Sequence, residues 1–216
     1  MFVPAVVTRA TNDTDATNAT NATIRTPMHK GRLEAFSDGV IAIILTIMVL
    51  DLKVPKDHSL AGLLQLWPIW LAYVLSYYNV LVLWANHHEA LARVDRIDRT
   101  GLFANGTFLF CMSLIPFATA YAGEEHWSEP LPVVLYGVVM LLVSVSFGRL
   151  RMKLAGHCDN AAAAEVNRRS AKAGFRRAVL FFAGAAAALA HPRLGLVFFV
   201  AIPLGVGLYR RSVLPD

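Results

Sequence analysis

Charge is scarce in this chain. Asp, Glu, Lys and Arg together make up 16% of its 216 residues, and 56% are hydrophobic, where a soluble domain carries roughly a quarter of its residues charged. That balance excludes an ordinary soluble enzyme, because the apolar runs consume most of the chain and leave no room for a separate globular domain. Cysteine occurs twice, as Cys111 within an apolar run and Cys158 in a basic stretch, so no disulfide framework is expected. No nucleophile and base pair, Gly-rich phosphate loop or repeated carboxylate pair occurs, so the machinery of a hydrolytic or phosphoryl-transfer enzyme is missing. His87 and His88 point about 100° apart on a helix, and with Glu89 next in line they do not converge on a metal as an i, i+4 pair would. The chain is therefore expected to be neither an enzyme nor a holder of a cofactor. Its net charge of +5 comes without an aromatic-interleaved basic patch, which excludes nucleic acid as the partner.

What the chain has in abundance is long apolar runs. A bilayer crossing needs about 20 mainly apolar residues, and six stretches approach that length: 35–52, 60–86, 101–122, 130–149, 174–190 and 194–209. They are continuous rather than alternating, which argues for helices over strands. The last two are short and joined by His191, Pro192 and Arg193, as in a compact hairpin. The fold class expected is an all-α membrane protein with six transmembrane helices per chain, the six-helix domain occupying residues 28–211. Residues 1–27, with their Asn/Ala/Thr tract, read as a disordered tail, and residues 212–216 as a short C-terminal tail. The N-x-T triplets at Asn12, Asn18 and Asn21 are read as products of the repeat rather than as glycosylation sites.

The cations give the orientation. With the amino terminus inside, seventeen of the 20 Lys and Arg residues lie on inner segments and only Lys53, Lys56 and Arg193 lie outside. Such a bias puts both termini in the cytoplasm of a multi-pass cell-membrane protein. The basic stretch 150–173 is expected to be a loop that contacts anionic lipid, with a partly amphipathic helix pairing Glu165 and Arg169 at i, i+4. In the segment Ala183–Ala190 small residues allow close helix packing.

The first apolar run carries an expensive polar group at its front edge, Arg32, Ser37 and Asp38. Ionisable residues at membrane depth usually mark a working site. Ile43, Ile47 and Leu50 follow at i, i+4 and i+7 on one helical stripe, with Thr46 beside it. A pore helix would put a hydrated mouth ahead of an apolar constriction in this way; a lipid-facing or core helix with Asp38 paired internally fits the periodicity equally. Trp84 and His87, near the inner end of the second run, are expected to satisfy the Asp38 carboxylate by hydrogen bonding. Asn105 in the third run reads as a hydrogen bonder in the bundle interior, and Pro116 as a kink.

Three segments carry a family resemblance. "RLEAFSDGVIAIILTIMVLDL" resembles the first-helix signature of the transmembrane protein 175 family of potassium-permeable cation channels, with its Arg a few residues before Phe-Ser-Asp. "LWANHH" and "GLFANGTFLFCMSLIPF" resemble that family's second and third helices. The resemblance implies a single six-helix repeat assembled as a homotetramer around a central pore lined by the first helix, in the lipid bilayer, with potassium ions as the permeant species. By motif position it implies a constriction at Ile43, continued by Ile47 and Leu50, with Thr46 on the pore wall. It likewise implies that Arg32, Phe36, Ser37, Asp38, Trp84, His87 and Asn105 form a polar network holding the first helix in place. Potassium preferred over sodium is the expected selectivity, and an apolar neck gating by dewetting is its physical basis. The alternative from another class is a secondary transporter that relays protons through Asp38 or His87, which calls for discontinuous helices and inverted repeats. A third reading is a membrane scaffold without transport.

Overall fold

The computed structural model describes residues 28–94, 96–124 and 127–213. The expected tail over residues 1–27, with Asn12, Asn18 and Asn21, lies outside the described residues, as do residues 214–216 of the expected C-terminal tail. Helices dominate. In chain order they are α1 (Lys30–Ile47), α2 (Leu60–Gln65), α3 (Trp67–Ala92), α4 (Arg99–Ser113), α5 (Ile115–Glu124), α6 (Pro130–Leu154), α7 (Ala161–Ala190) and α8 (Pro192–Val213). A 3-10 turn over Met48–Asp51 extends α1.

Proline and capping side chains set the element boundaries. Pro68 lies at the start of α3, where its missing N–H leaves no bond unmade, and the chain breaks at Leu66 just before it. Pro116 does the same to the third run, which divides at Leu114 into α4 and α5, two residues before the proline at which a kink is expected. Side-chain caps close the open N–H groups elsewhere: Asp98 accepts from the Gly101 N–H at 2.8 Å, Ser59 from Gly62 at 3.2 Å and Asn160 from Ala163 at 2.8 Å.

Five helical stretches are long and apolar enough to cross a bilayer: Lys30–Asp51, Trp67–Ala92, Arg99–Glu124, Pro130–His157 and Ala161–Ala190. The expected sixth span falls on α8, whose apolar part is described from Pro192 to Ile202. The stretch 150–173 is not a loop. α6 continues to Leu154 and α7 already begins at Ala161, because Arg and Lys are good helix formers whose charges can turn outward without ending the helix. Arg169 does donate to Glu165 at 2.9 Å on that helix.

α6 is the hub of the bundle and packs most extensively on α7, with α4, α5 and α8 around it. Small residues allow this closeness: a Cβ on Gly137 would come within 2.7 Å of the Phe199 ring and 2.9 Å of Ala185 Cβ. α1 instead lies at the edge, against α3, α4 and α5. Its start is tied down by a two-stranded antiparallel ladder that pairs Met28 with Ile97 and His29 with Arg96. Lys30 adds a bond from Nζ to the Ala92 carbonyl at 3.3 Å.

Candidate functional site

α1 has two unlike faces. Leu33, Ser37, Ile41, Ile44 and Met48 recur at helical spacing and are buried against the neighbouring helices. The opposite face is open. Ile43 is 57% exposed, Ile47 45% and Leu50 77%, and Thr46 is exposed beside them. Only 28% of the most apolar window of the first span is buried within the protomer, the lowest of the five, against 61% for the span containing α6. Leu50 departs from the expected single stripe, since it lies in the 3-10 turn rather than on the α-helix. The tighter winding there, 120° per residue against 100°, carries it roughly 60° around the axis from the continuation of α1. The Thr46 hydroxyl donates back to the Ala42 and Ile43 carbonyls, each at 3.0 Å.

The buried face is fastened by side chains from three helices. Trp84 Nε1 donates to Asp38 Oδ1 at 2.9 Å. The Asn105 amide donates to Ser37 Oγ at 2.9 Å, and Ser37 donates in turn to the Leu33 carbonyl at 2.8 Å. His87 Nε2 meets Asn105 Oδ1 at 2.7 Å, so that nitrogen carries the proton, and Phe108 stacks on the imidazole. His87 therefore does not bond the Asp38 carboxylate as the sequence suggested. Its neighbour on α3, Trp84, takes that place, while the His87 ring nitrogen is engaged by Asn105, which in turn donates to Ser37. Arg32 and Phe36 are exposed and, among the described residues, stand outside this network.

Several polar contacts escape a reading by spans. Arg151 was counted among loop cations, yet its side chain is 1% exposed. Its Nη2 donates to the Asn86 carbonyl at 2.6 Å and lies 3.7 Å from Glu89 Oε2, and its guanidinium covers Phe147 at 5.1 Å. Arg149 and Arg151, two apart on a helix, point in nearly opposite directions, and it is the partners on α3 that decide which of them is buried. A second buried group links Thr119, Ser76 and Tyr136, with Thr119 Oγ1 donating to Ser76 Oγ at 2.7 Å and Ser76 to the Tyr136 hydroxyl at 3.2 Å. At the other end of α1, Lys53 is ion-paired with Glu124, and the hydrogen bond to that carboxylate holds the ammonium above its ordinary range. Among the described residues no three His, Cys, Asp or Glu side chains converge as a metal would require.

The arrangement amounts to a helix pinned on one side and bare on the other. Residues 32–116 match the model of the family described as the endosomal/lysosomal potassium channel TMEM175, which spans α1 to the start of α5. The chain is 45% identical over 120 residues to a potassium channel of Chryseobacterium sp. (strain P1-3), covering 56% of this chain and 62% of that one; it thus spans somewhat less than two thirds of that relative. It is 36% identical over 146 residues to a potassium channel of Chamaesiphon minutus, covering 64% of this chain and 71% of the relative. Its fold matches the crystal structure of a lysosomal potassium-selective channel TMEM175 homolog from Chamaesiphon minutus with a TM-score of 0.73 and 28% identity, over 84% of this chain and 98% of that one. With sequence and fold in agreement along both the pinned helix and the bundle that pins it, this chain belongs to the TMEM175 family.

Proposed function

We propose that the chain is one subunit of a homotetrameric, potassium-permeable cation channel whose central pore is lined by α1. The observation that carries this reading is the bare face of α1: a helix so firmly fastened by Asp38 and Ser37 leaves Ile43, Ile47 and Leu50 uncovered. Facing an axis shared by several copies would give those residues partners, and closure around an axis requires identical interfaces. In the same reading the six apolar runs are six crossings of a cell membrane, and the cation bias supports cytoplasmic termini. The naming of the Chryseobacterium and Chamaesiphon relatives as potassium channels supports the ion.

In this reading Ile43 forms the constriction, with Ile47 and Leu50 beyond it. A ring of isoleucines narrow enough to dewet favours the ion that sheds water more readily, which is potassium over sodium. Thr46, whose hydroxyl proton is directed back to its own helix, offers oxygen lone pairs on the pore wall. Asp38 and His87 serve positioning rather than proton relay, since each is engaged with an uncharged partner, Trp84 and Asn105.

The test is ion flux through purified protein in liposomes, with potassium, sodium and proton gradients compared and Ile43→Asn run beside wild type. Fast potassium-favouring flux that loses selectivity in the variant is expected. Slow proton-coupled uptake, or ion ratios indifferent to Ile43, would overturn the assignment and return Asp38 and His87 to the transporter reading.

A further inference from the structure

α7 carries a stripe of cations that the arrangement around α1 does not use. Arg169, Lys172 and Arg176 recur at three- and four-residue spacing, which places them on one face, and all three are exposed. With Ser170 and Ala173 they line an open groove of about 550 Å³. Arg169 is paired with Glu165; among the described residues Lys172 and Arg176 have no hydrogen bond or ion pair. Along the same face the side chains then turn apolar, with Val179 and Leu180 exposed.

The depth of Arg176 makes the stripe more than a solvated surface. α6 and α7 run side by side, with Gly174 against the Ser144 carbonyl and Gly148 Cα, and Gly137 against Ala185. That register sets Arg176 level with Ser146. It lies about one turn, ~5 Å, further along the membrane axis than Arg149, the first cation of α6. From Arg176 to Ala190, where α7 ends, the helix has a rise of only ~21 Å, short of the ~30 Å hydrocarbon core. The Arg176 guanidinium therefore stands at the edge of the hydrocarbon, where a cation draws an anion to itself or pulls the headgroup layer inward. α7 packs chiefly on α6 and α8, whereas α1 packs on α3, α4 and α5, so a pore around α1 leaves this stripe on the outer rim.

We propose that Arg169, Lys172 and Arg176 seat the phosphate of an anionic phospholipid, whose acyl chain lies along Val179 and Leu180. The planar fork of Arg176 matches phosphate oxygens two at a time, and Lys172 and Arg169 supply charge one turn and two turns toward the headgroups. The inference needs α7 to cross a bilayer and holds whether or not the chain conducts ions.

Native mass spectrometry of the full chain in mild detergent tests it, with phosphatidylglycerol and phosphatidylcholine supplied at equal concentration. Wild type is expected to retain phosphatidylglycerol preferentially. The double variant Lys172→Gln/Arg176→Gln should lower its retention roughly 20-fold, since each juxtamembrane cation is worth about a factor of five. Arg176→Lys, which keeps the charge but loses the fork, should retain phosphatidylglycerol at a level between wild type and the double variant, and Arg193→Gln at the opposite end should change nothing. Equal retention of both lipids by wild type, or an unchanged double variant, would overturn the proposal. So would displacement by millimolar inorganic phosphate, which would mark a free-anion site, or a changed oligomer mass in the variant, which would mark a subunit contact.

Discussion

Replacing Asn105 or His87 by Leu should destabilise the protein, and replacing both should cost distinctly less than the two losses added together. Asn105 makes two contacts at once, giving a proton to Ser37 at 2.9 Å and accepting one from His87 at 2.7 Å. Both residues are about 1% exposed, so no water replaces a lost partner. In Asn105→Leu the His87 N–H is orphaned, at a cost of roughly 1–3 kcal/mol, while Ser37 keeps its bond to the Leu33 carbonyl. Interhelical hydrogen bonds measured inside membranes average about 0.6 kcal/mol and reach about 1.7, which sets the expected single-variant loss at about 1.5 kcal/mol. His87→Leu mirrors it by orphaning Asn105 Oδ1, with Phe108 still available to pack on the new side chain. The double variant leaves no orphaned donor, so the coupling between the sites should be about 1 kcal/mol. Reversible SDS unfolding of the four proteins in mixed micelles reads this directly. Losses that add to within about 0.3 kcal/mol would refute the idea that His87 is held through Asn105.

Two further outcomes follow from the packing and the caps. Gly137→Ala should cost about 1–3 kcal/mol, because its methyl would meet both Phe199 and Ala185 below normal contact distance; thermal unfolding in detergent measures it, and an unchanged midpoint would count against the register of α6 on α7 and α8. Asp98→Ala should remove about 1 kcal/mol of capping. The Gly101 N–H, with the Thr100 hydroxyl, holds the Asp98 carboxyl below its ordinary range, so its stabilisation is present above the unfolded value of about 3.9 and is lost as pH falls through the lower folded value. A stability titration of the variant between about pH 5 and pH 2 should accordingly be shallower than that of wild type.

The helices were legible because a continuous apolar run of bilayer length has few other uses, and Pro116 announced where one of them breaks, whereas the run expected over 60–86 divides at Leu66 ahead of Pro68. The basic ends of α6 and α7 were not legible. Arg149–Lys153 and Arg168–Arg177 look like loop by charge, yet a long side chain can leave a helix face and reach water or lipid without unwinding the backbone. Arg151 shows the limit most plainly: its burial depends on Glu89 and Asn86 arriving from α3, a meeting no local pattern encodes. The membership of the polar group around Ser37 and Asp38 was readable from residue type, but the pairing was not. Whether His87 or Trp84 reaches the carboxylate is set by the rotation of α3 about its own axis, to which a run of apolar residues with little periodicity is nearly blind. The Met28–Ile97 ladder was invisible for a simpler reason, since two residues are too few to show alternation.

The fastening of α1 has a mechanical side. The ladder at Met28–His29, the Lys30 bond to Ala92 and the contacts of Ser37 and Asp38 all lie just before α1 or in its first half. Beyond Asp38, among the described residues, its buried contacts up to Met48 are made by apolar side chains, Ile41, Ile44 and Met48, until the exposed Lys53–Glu124 pair beyond its end. α1 is thus a beam clamped at its base and lightly tethered at its tip. Side load applied there is resisted by sliding contacts that have no preferred angle, so deflection concentrates in the half that carries Ile43, Ile47 and Leu50 while the base stays in register with the bundle.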